Sequence, residues 1–144
     1  MRKNIKNELK LILPATKENS EVALETVSKF ISVNGIFGNK ASDIKVSVTE
    51  AIDNVVDHAY VGNNYEYDNI VLYCRLDNNK LSITVSDKGV GIEDVTKAKT
   101  PLFSTREKDH SGMGFTVIEQ FSDKVHIISK PGLGTKVRID FYID

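Results

Sequence analysis

The chain has one cysteine in 144 residues and almost no net charge, −1 from 19 basic and 20 acidic side chains. Cys74 therefore has no disulfide partner, and it lies in an alternating apolar run, which reads as a core position in a reducing interior. So small a net charge gives no global electrostatic reason to bind nucleic acid or an acidic membrane surface, and partners must be recognised by local surface. There is no run of roughly 18 apolar residues, the length a membrane helix needs. Met1 to Lys10 is polar and charged, without an apolar stretch of leader length, so a soluble cytoplasmic protein is expected. Internal repeats, low-complexity tracts and interdomain linkers are also missing. What remains is 40% hydrophobic content, enough for one globular domain over residues 1–144 with a single core.

Hydrophobic period divides the chain. Glu8 to Leu13 is a short apolar stretch ending at Pro14, which fits an edge strand. Ala23, Val27, Phe30 and Ile31 recur at helical spacing after Asn19 or Ser20, either a good N-cap, and Gly35 closes that helix. Ser42 or Asp43 is suited to cap a second helix running to about Tyr60. The period then changes to two. Ile70, Leu72, Cys74 and Leu76, the turn Asp77-Asn78-Asn79, and Leu81, Ile83 and Val85 make a hairpin that ends at Asp87. Residues 92–111 have little period and four basic side chains, Lys97, Lys99, Arg106 and Lys108, and read as a working lid. Gly112 to Phe121 is a short helix. Lys124 to Ser129 and Thr135 to Ile143 form a second hairpin with Val137, Ile139, Phe141 and Ile143 inward. The order β, α, α, β, β, lid, α, β, β predicts an α+β fold, helices on one face of a mixed sheet.

Four places carry chemistry. On the second helix, Ile44, Val48, Ile52, Val55 and Ala59 fall on one side at about 100° per residue, and Glu50, Asp53, Asn54 and Asp57 fall opposite. Alone, that is an ordinary solvated face. Glu50 and Asn54 are four apart and project together; an amide oxygen is a hard ligand for Mg²⁺, and a carboxylate one turn away can take a proton from an attacking hydroxyl. His58 lies on the flank of this stripe and reads as structural. Asp87-Lys88-Gly89-Val90-Gly91 is held by a strand end, so its carboxylate is well placed to accept the amino group of adenine while the glycines allow close backbone approach; a strand-exit turn explains it equally well. Ser111-Gly112-Met113-Gly114-Phe115 opens a helix, where unpaired N–H groups favour phosphate oxygens. It is neither a Walker loop nor a dinucleotide fingerprint. Gly134-Thr135 opens the last strand, and a hydroxyl there can support Asp87 or a water.

In that order these pieces resemble the GHKL ATPase superfamily of gyrase, histidine kinases and MutL. Within it the chain is similar to bacterial anti-sigma factors with serine-kinase activity, most of all the sporulation type. The likeness rests on Thr49-Glu50-Ala51-Ile52-Asp53-Asn54, on Pro101-Leu102-Phe103-Ser104-Thr105 and on the Ser111 to Phe115 run. The resemblance implies a Bergerat-type two-layer α/β sandwich on a mostly antiparallel sheet, binding Mg-ATP (or ADP) under the lid. Glu50 then matches the general base, Asn54 the Mg²⁺-binding amide and Asp87 the adenine-reading acid. Gly89 and Gly91 line the base, Thr105, Gly112, Met113 and Gly114 surround the phosphates, and Thr135 sits near Asp87. Implied partners are a sigma factor of the sigma F type, an anti-anti-sigma protein phosphorylated on serine, and a second copy in a homodimer. Two positions depart from the pattern: His110 stands where sporulation-type members often have Arg, and Leu24 where Arg is expected. Competing readings are an ATP-dependent sigma-binding module without transfer, a stress-response relative, and a detached histidine-kinase domain. The last is disfavoured because no phospho-accepting helix is present.

Overall fold

The computed structural model describes residues 5–60, 68–92 and 111–143, of residues 111–114 the backbone only. In chain order the elements are β1 (Ile5–Pro14), α1 (Lys17–Val33), α2 (Gly38–Asn54) running into a π-helical turn (Val55–Ala59), β2 (Asn69–Asp77), β3 (Lys80–Asp87), α3 (Ser111–Phe121), β4 (Lys124–Lys130) and β5 (Gly134–Tyr142). The strands form one sheet in the order β1-β2-β3-β5-β4. Every ladder is antiparallel, where the element order had predicted a mixed sheet. The reason is topological: each sheet neighbour in the second half is reached by a hairpin or by the return of β5 alongside β3, and neither needs a parallel crossover.

The core follows from strict alternation. Cross-strand register places Leu11, Leu72, Val85, Val137 and Ile127 in one row and Leu9, Cys74, Ile83, Ile139 and Val125 in the next, all on the face that the helices cover. Buried on the helix side are Ala23, Val27, Phe30 and Ile31 of α1, Ile44, Val48 and Ile52 of α2, and Phe115 and Ile118 of α3. Each large side chain so buried contributes about 1.5–3 kcal/mol, so the interlocked rows, more than helix propensity, hold the two layers together. Cys74 is fully buried at the sheet centre, as its place in the alternation requires.

Helix starts differ from the sequence reading. Thr16, not Asn19 or Ser20, caps α1: its Oγ1 accepts the Asn19 N–H at 3.2 Å, and the Asn19 amide turns back to Pro14 O at 2.9 Å. At the far end Gly35, at φ +83°, closes α1 in the left-handed conformation while Ile36 N–H returns to Ile31 O at 3.0 Å. That turn buries Ile36 and lets α2 begin at Gly38, a turn before Ser42, with no side-chain cap. The expected lid lies almost wholly in residues 93–110, outside the described residues.

Candidate functional site

The polar face of α2 is not an ordinary solvated one. Glu50, Asp53 and Asn54 are half-buried, and only Asp57 is exposed. Burial pushes the Asp53 carboxyl above its usual pKa, and the Asp57 charge nearby adds to the effect. Asn54 Nδ2 is buried without a hydrogen-bond partner. A buried amide left unpaired costs roughly 1–3 kcal/mol, so the position is one that a polar ligand would repay. Immediately after Asn54 the helix opens into the π-helical turn Val55–Ala59, where a continuous α-helix had been expected. Such turns re-aim side chains and are frequent at functional sites. His58, within it, is half-buried and partnered.

The π turn is what anchors the second piece of the site. Val90 N–H donates to Ala59 O at 2.7 Å, and Lys88 N–H donates to the Tyr60 hydroxyl at 3.0 Å, which itself donates to Asn69 O at 2.7 Å. The Asp87–Gly91 loop is thereby joined to the end of the helix that carries Glu50 and Asn54. A Cβ on Gly89 would stand 1.9 Å from Ala59 O, and one on Gly91, whose φ is +75°, would stand 2.1 Å from Lys130 O. The close approach that these glycines permit in the structure is thus of protein to protein, the loop being pressed between the π turn and the β4–β5 turn.

Asp87 is half-buried by this arrangement. Burial raises its pKa above the usual carboxylate value, opposed by hydrogen bonds from the backbone N–H groups of Gly89, at 2.9 Å to Oδ1, and Thr135. Thr135 pairs with Asp87 across the β3–β5 ladder. Its support comes through the backbone; its hydroxyl is engaged with Ser129 Oγ at 2.7 Å rather than with the carboxylate. Ser129 also takes the Ile92 N–H at 2.6 Å, at the edge of the described loop. Sequence reasoning passed over both Ser129 and Tyr60. The pairing of Ser129 with Thr135 across the Pro131-Gly132 turn was the available signal, since hairpin register places them opposite each other.

Gly112, Met113 and Gly114 occupy the first turn of α3, where a helix leaves its N–H groups unpaired. Thr105 lies outside the described residues, as do Lys97, Lys99, Arg106, Lys108 and His110. Among the described residues no three His, Cys, Asp or Glu side chains come together as a metal cage. A divalent cation here would be held by Asn54 with phosphate oxygens and water completing its shell, the manner in which Mg²⁺ is usually bound. The orphaned Asn54 Nδ2, a donor, fits a phosphate oxygen, and the withdrawn carboxylate at the strand end fits the amino group of an adenine; a metal would take the Asn54 amide oxygen instead. A cleft of about 560 Å³ opens elsewhere, on the outward face of the sheet; Asp87 and Thr135 touch its rim, while neither Glu50 nor Asn54 lines it.

This geometry is that of a two-layer sandwich with polar groups gathered at the helix and strand ends, and the comparisons agree on the fold. The model of the histidine kinase-like ATPase domain matches residues 13–141. The anti-sigma F factor of Oceanobacillus iheyensis is 37% identical over 134 residues, 92% of this chain and 90% of that protein. The anti-sigma F factor of Caldanaerobacter subterraneus is 39% identical over 138 residues, covering 95% and 94%. The chain belongs to the anti-sigma F factor family, within the histidine kinase-like ATPase domains. A crystal structure of the RsbU and RsbW domains of a Mycobacterium tuberculosis protein shares the fold, with a TM-score of 0.69 at 18% identity over 94% of this chain; the match spans 32% of that longer chain. ATP is the ligand that the domain family implies. No helix of the described residues is long and apolar enough to cross a membrane.

Proposed function

We propose that the chain is an anti-sigma factor that holds a sigma factor of the sigma F type and phosphorylates a serine on an anti-anti-sigma partner, using Mg-ATP, in control of sporulation transcription. The observation that carries this reading is the joining of two half-buried polar groups through one turn: the Glu50/Asn54 face of α2 and the Asp87 loop, linked by Val90 N–H to Ala59 O. Bound Mg-ATP supplies the transferable γ-phosphoryl group and the metal charge that stabilises it. Asp87 accepts the adenine amino group, the role its rigid strand end and enclosed carboxylate suit. Asn54 would offer its amide to the metal and phosphates, and the Gly89–Gly91 turn, packed against the π turn and the β4–β5 turn, would border the base. Thr105 and the first turn of α3, Gly112 to Gly114, contribute to the phosphate end under a lid over 92–111. Glu50 would take the proton of the partner's serine hydroxyl as that oxygen bonds to the γ-phosphorus in line and the bond from the γ-phosphorus to the bridging oxygen breaks, releasing ADP; positioning would supply much of the remaining catalysis. A cytoplasmic homodimer is part of the same proposal.

The test is phosphoryl transfer from labelled Mg-ATP to a panel of small anti-anti-sigma proteins, beside Glu50→Gln. Label on one partner's serine is expected, reduced at least about 100-fold in the variant, with ATP and sigma binding retained. Full transfer by Glu50→Gln removes Glu50 as the base. ATP binding without transfer to any partner means that the nucleotide only sets the shape that grips the sigma factor.

A further inference from the structure

Charge is segregated between the two sides of this nearly neutral chain. Across the outward face of the sheet, register lines up Ile12, Val71, Ser86, Lys136 and Ile128 from one edge to the other. The next row is Lys10, Tyr73, Thr84, Arg138 and His126, and the one after it Glu8, Arg75, Ser82, Asp140 and Lys124. Both acids in these rows are withdrawn. Glu8 is half-buried and accepts the Tyr73 hydroxyl. Asp140 is 2% exposed, taken up by the Ser82 hydroxyl at 2.8 Å and the Arg138 guanidinium at 3.4 Å. The exposed charges of the three rows are therefore all cationic: Lys10, Arg75, Lys124, Lys136 and Arg138. Lys88 and Lys130 add two more where the face ends in the 560 Å³ cleft. The same cleft presents apolar side chains at opposite edges of the sheet, Ile12 at 56% exposure on β1 and Ile128 at 64% on β4, with Leu133 at 70% beside the latter.

We infer that this outward face docks an acidic, extended segment of a partner protein that carries an aliphatic side chain toward each end. Five strands at about 4.8 Å spacing set Ile12 and Ile128 about 19 Å apart, about six rises of an extended chain, so that side chains at the two ends of a segment of about seven residues reach both and share one face. Cationic rows between two aliphatic anchors match glutamates or aspartates between two leucine-like side chains, and a cleft of this volume is large enough to desolvate such anchors. Nucleic acid is a poorer complement. Single strands add stacking of bases on aromatic side chains to their phosphate contacts, whereas Tyr73, the one Phe, Tyr or Trp in these rows, is half-buried and tied to Glu8. A second copy placed face to face would set like charges against each other. The inference does not rest on the nucleotide reading: the rows lie on the side of the sheet away from α2, neither Glu50 nor Asn54 lines the cleft, and Asp87 and Thr135 meet it only at the rim.

The test uses the full chain and a fluorescent peptide of about seven residues, leucine at each end and glutamates between. Affinity by anisotropy is expected to fall at least about tenfold in Lys136→Glu/Arg138→Glu and with added salt, and at least about threefold in Ile12→Ser/Ile128→Ser. Lys29→Glu/Lys45→Glu, exposed on the helix layer, leaves it unchanged. All six substituted side chains are exposed, and circular dichroism checks that each variant is folded. Peptide binding that survives Lys136→Glu/Arg138→Glu overturns the inference. So does an oligothymidylate of equal charge that binds as tightly as the peptide and is indifferent to the isoleucine changes.

Discussion

Asp87 sits at the end of a rigid strand with its carboxylate withdrawn from water, and burial raises its pKa from 3.8 against the pull of two backbone N–H groups. The folded chain then holds a proton over a pH range where the unfolded chain has lost it. Stability from this group is fully present below the unfolded value and is lost as pH rises through the folded one. In the proposed nucleotide reading, recognition runs the other way, since the ionised carboxylate is the stronger acceptor for the adenine amino group. Asp87→Asn is expected to flatten the part of the pH dependence of urea unfolding that lies just above the ordinary carboxylate pKa of about 4, and to lower ATP affinity at least about tenfold in titration calorimetry. An unchanged ATP affinity would remove Asp87 from the adenine site. A different residue, Ser47, is fully buried on α2 with its Oγ unpartnered. Ser47→Ala should stabilise the protein by about 1 kcal/mol, by removing an unpaired hydroxyl and by better helix propensity, and a lower urea midpoint would contradict this.

Between elements, the contacts that assemble the site are backbone contacts, so glycine positions govern them unequally. At Gly89 any Cβ meets Ala59 O, and Gly89→Ala must push the loop off the π turn and strain the Val90 to Ala59 bond. A loss of about 1–3 kcal/mol in unfolding free energy is expected, together with weakened ATP binding. Gly132 has φ +79° but open space around it, so Gly132→Ala should cost only the left-handed strain of about 1–2 kcal/mol and leave ATP affinity unchanged. Equal effects of the two substitutions on ATP binding would argue against the loop and π turn acting as a unit. Within the sheet, burial pushes the Cys74 thiol up to about 12. Its alkylation by iodoacetamide should proceed only through opening of the sheet, with a rate that follows urea-induced unfolding; rapid labelling of the native protein would mean that β2 opens by itself.

At the scale of the whole molecule, one sheet separates two chemistries: an acidic and amide-bearing helix face on one side, a cationic face on the other. Much of that plan is legible in the sequence. Period-two alternation from Ile70 to Val85 and helical spacing from Ala23 to Ile31 and Ile44 to Ala59 state which side chains go inward, because burial of each side chain depends on local period alone. The resemblance carried by the Glu50 to Asn54, Asp87 to Gly91 and Ser111 to Phe115 runs pointed to the family, and the family matches agree with that. What tertiary structure decided are the facts that depend on residues distant in sequence. Thr16 takes the cap from Asn19 because the preceding strand fixes the entry of α1. The turn after Asn54 becomes π-helical where Ala59 O meets the Asp87 loop, and Gly89 and Gly91 are glycines because two backbones pass there. Thr135 gives its hydroxyl to Ser129 because a hairpin sets them opposite, and five outward cations become one surface only when strand register aligns them. Periodicity determines the faces of each element; only the pairing of elements determines which faces meet.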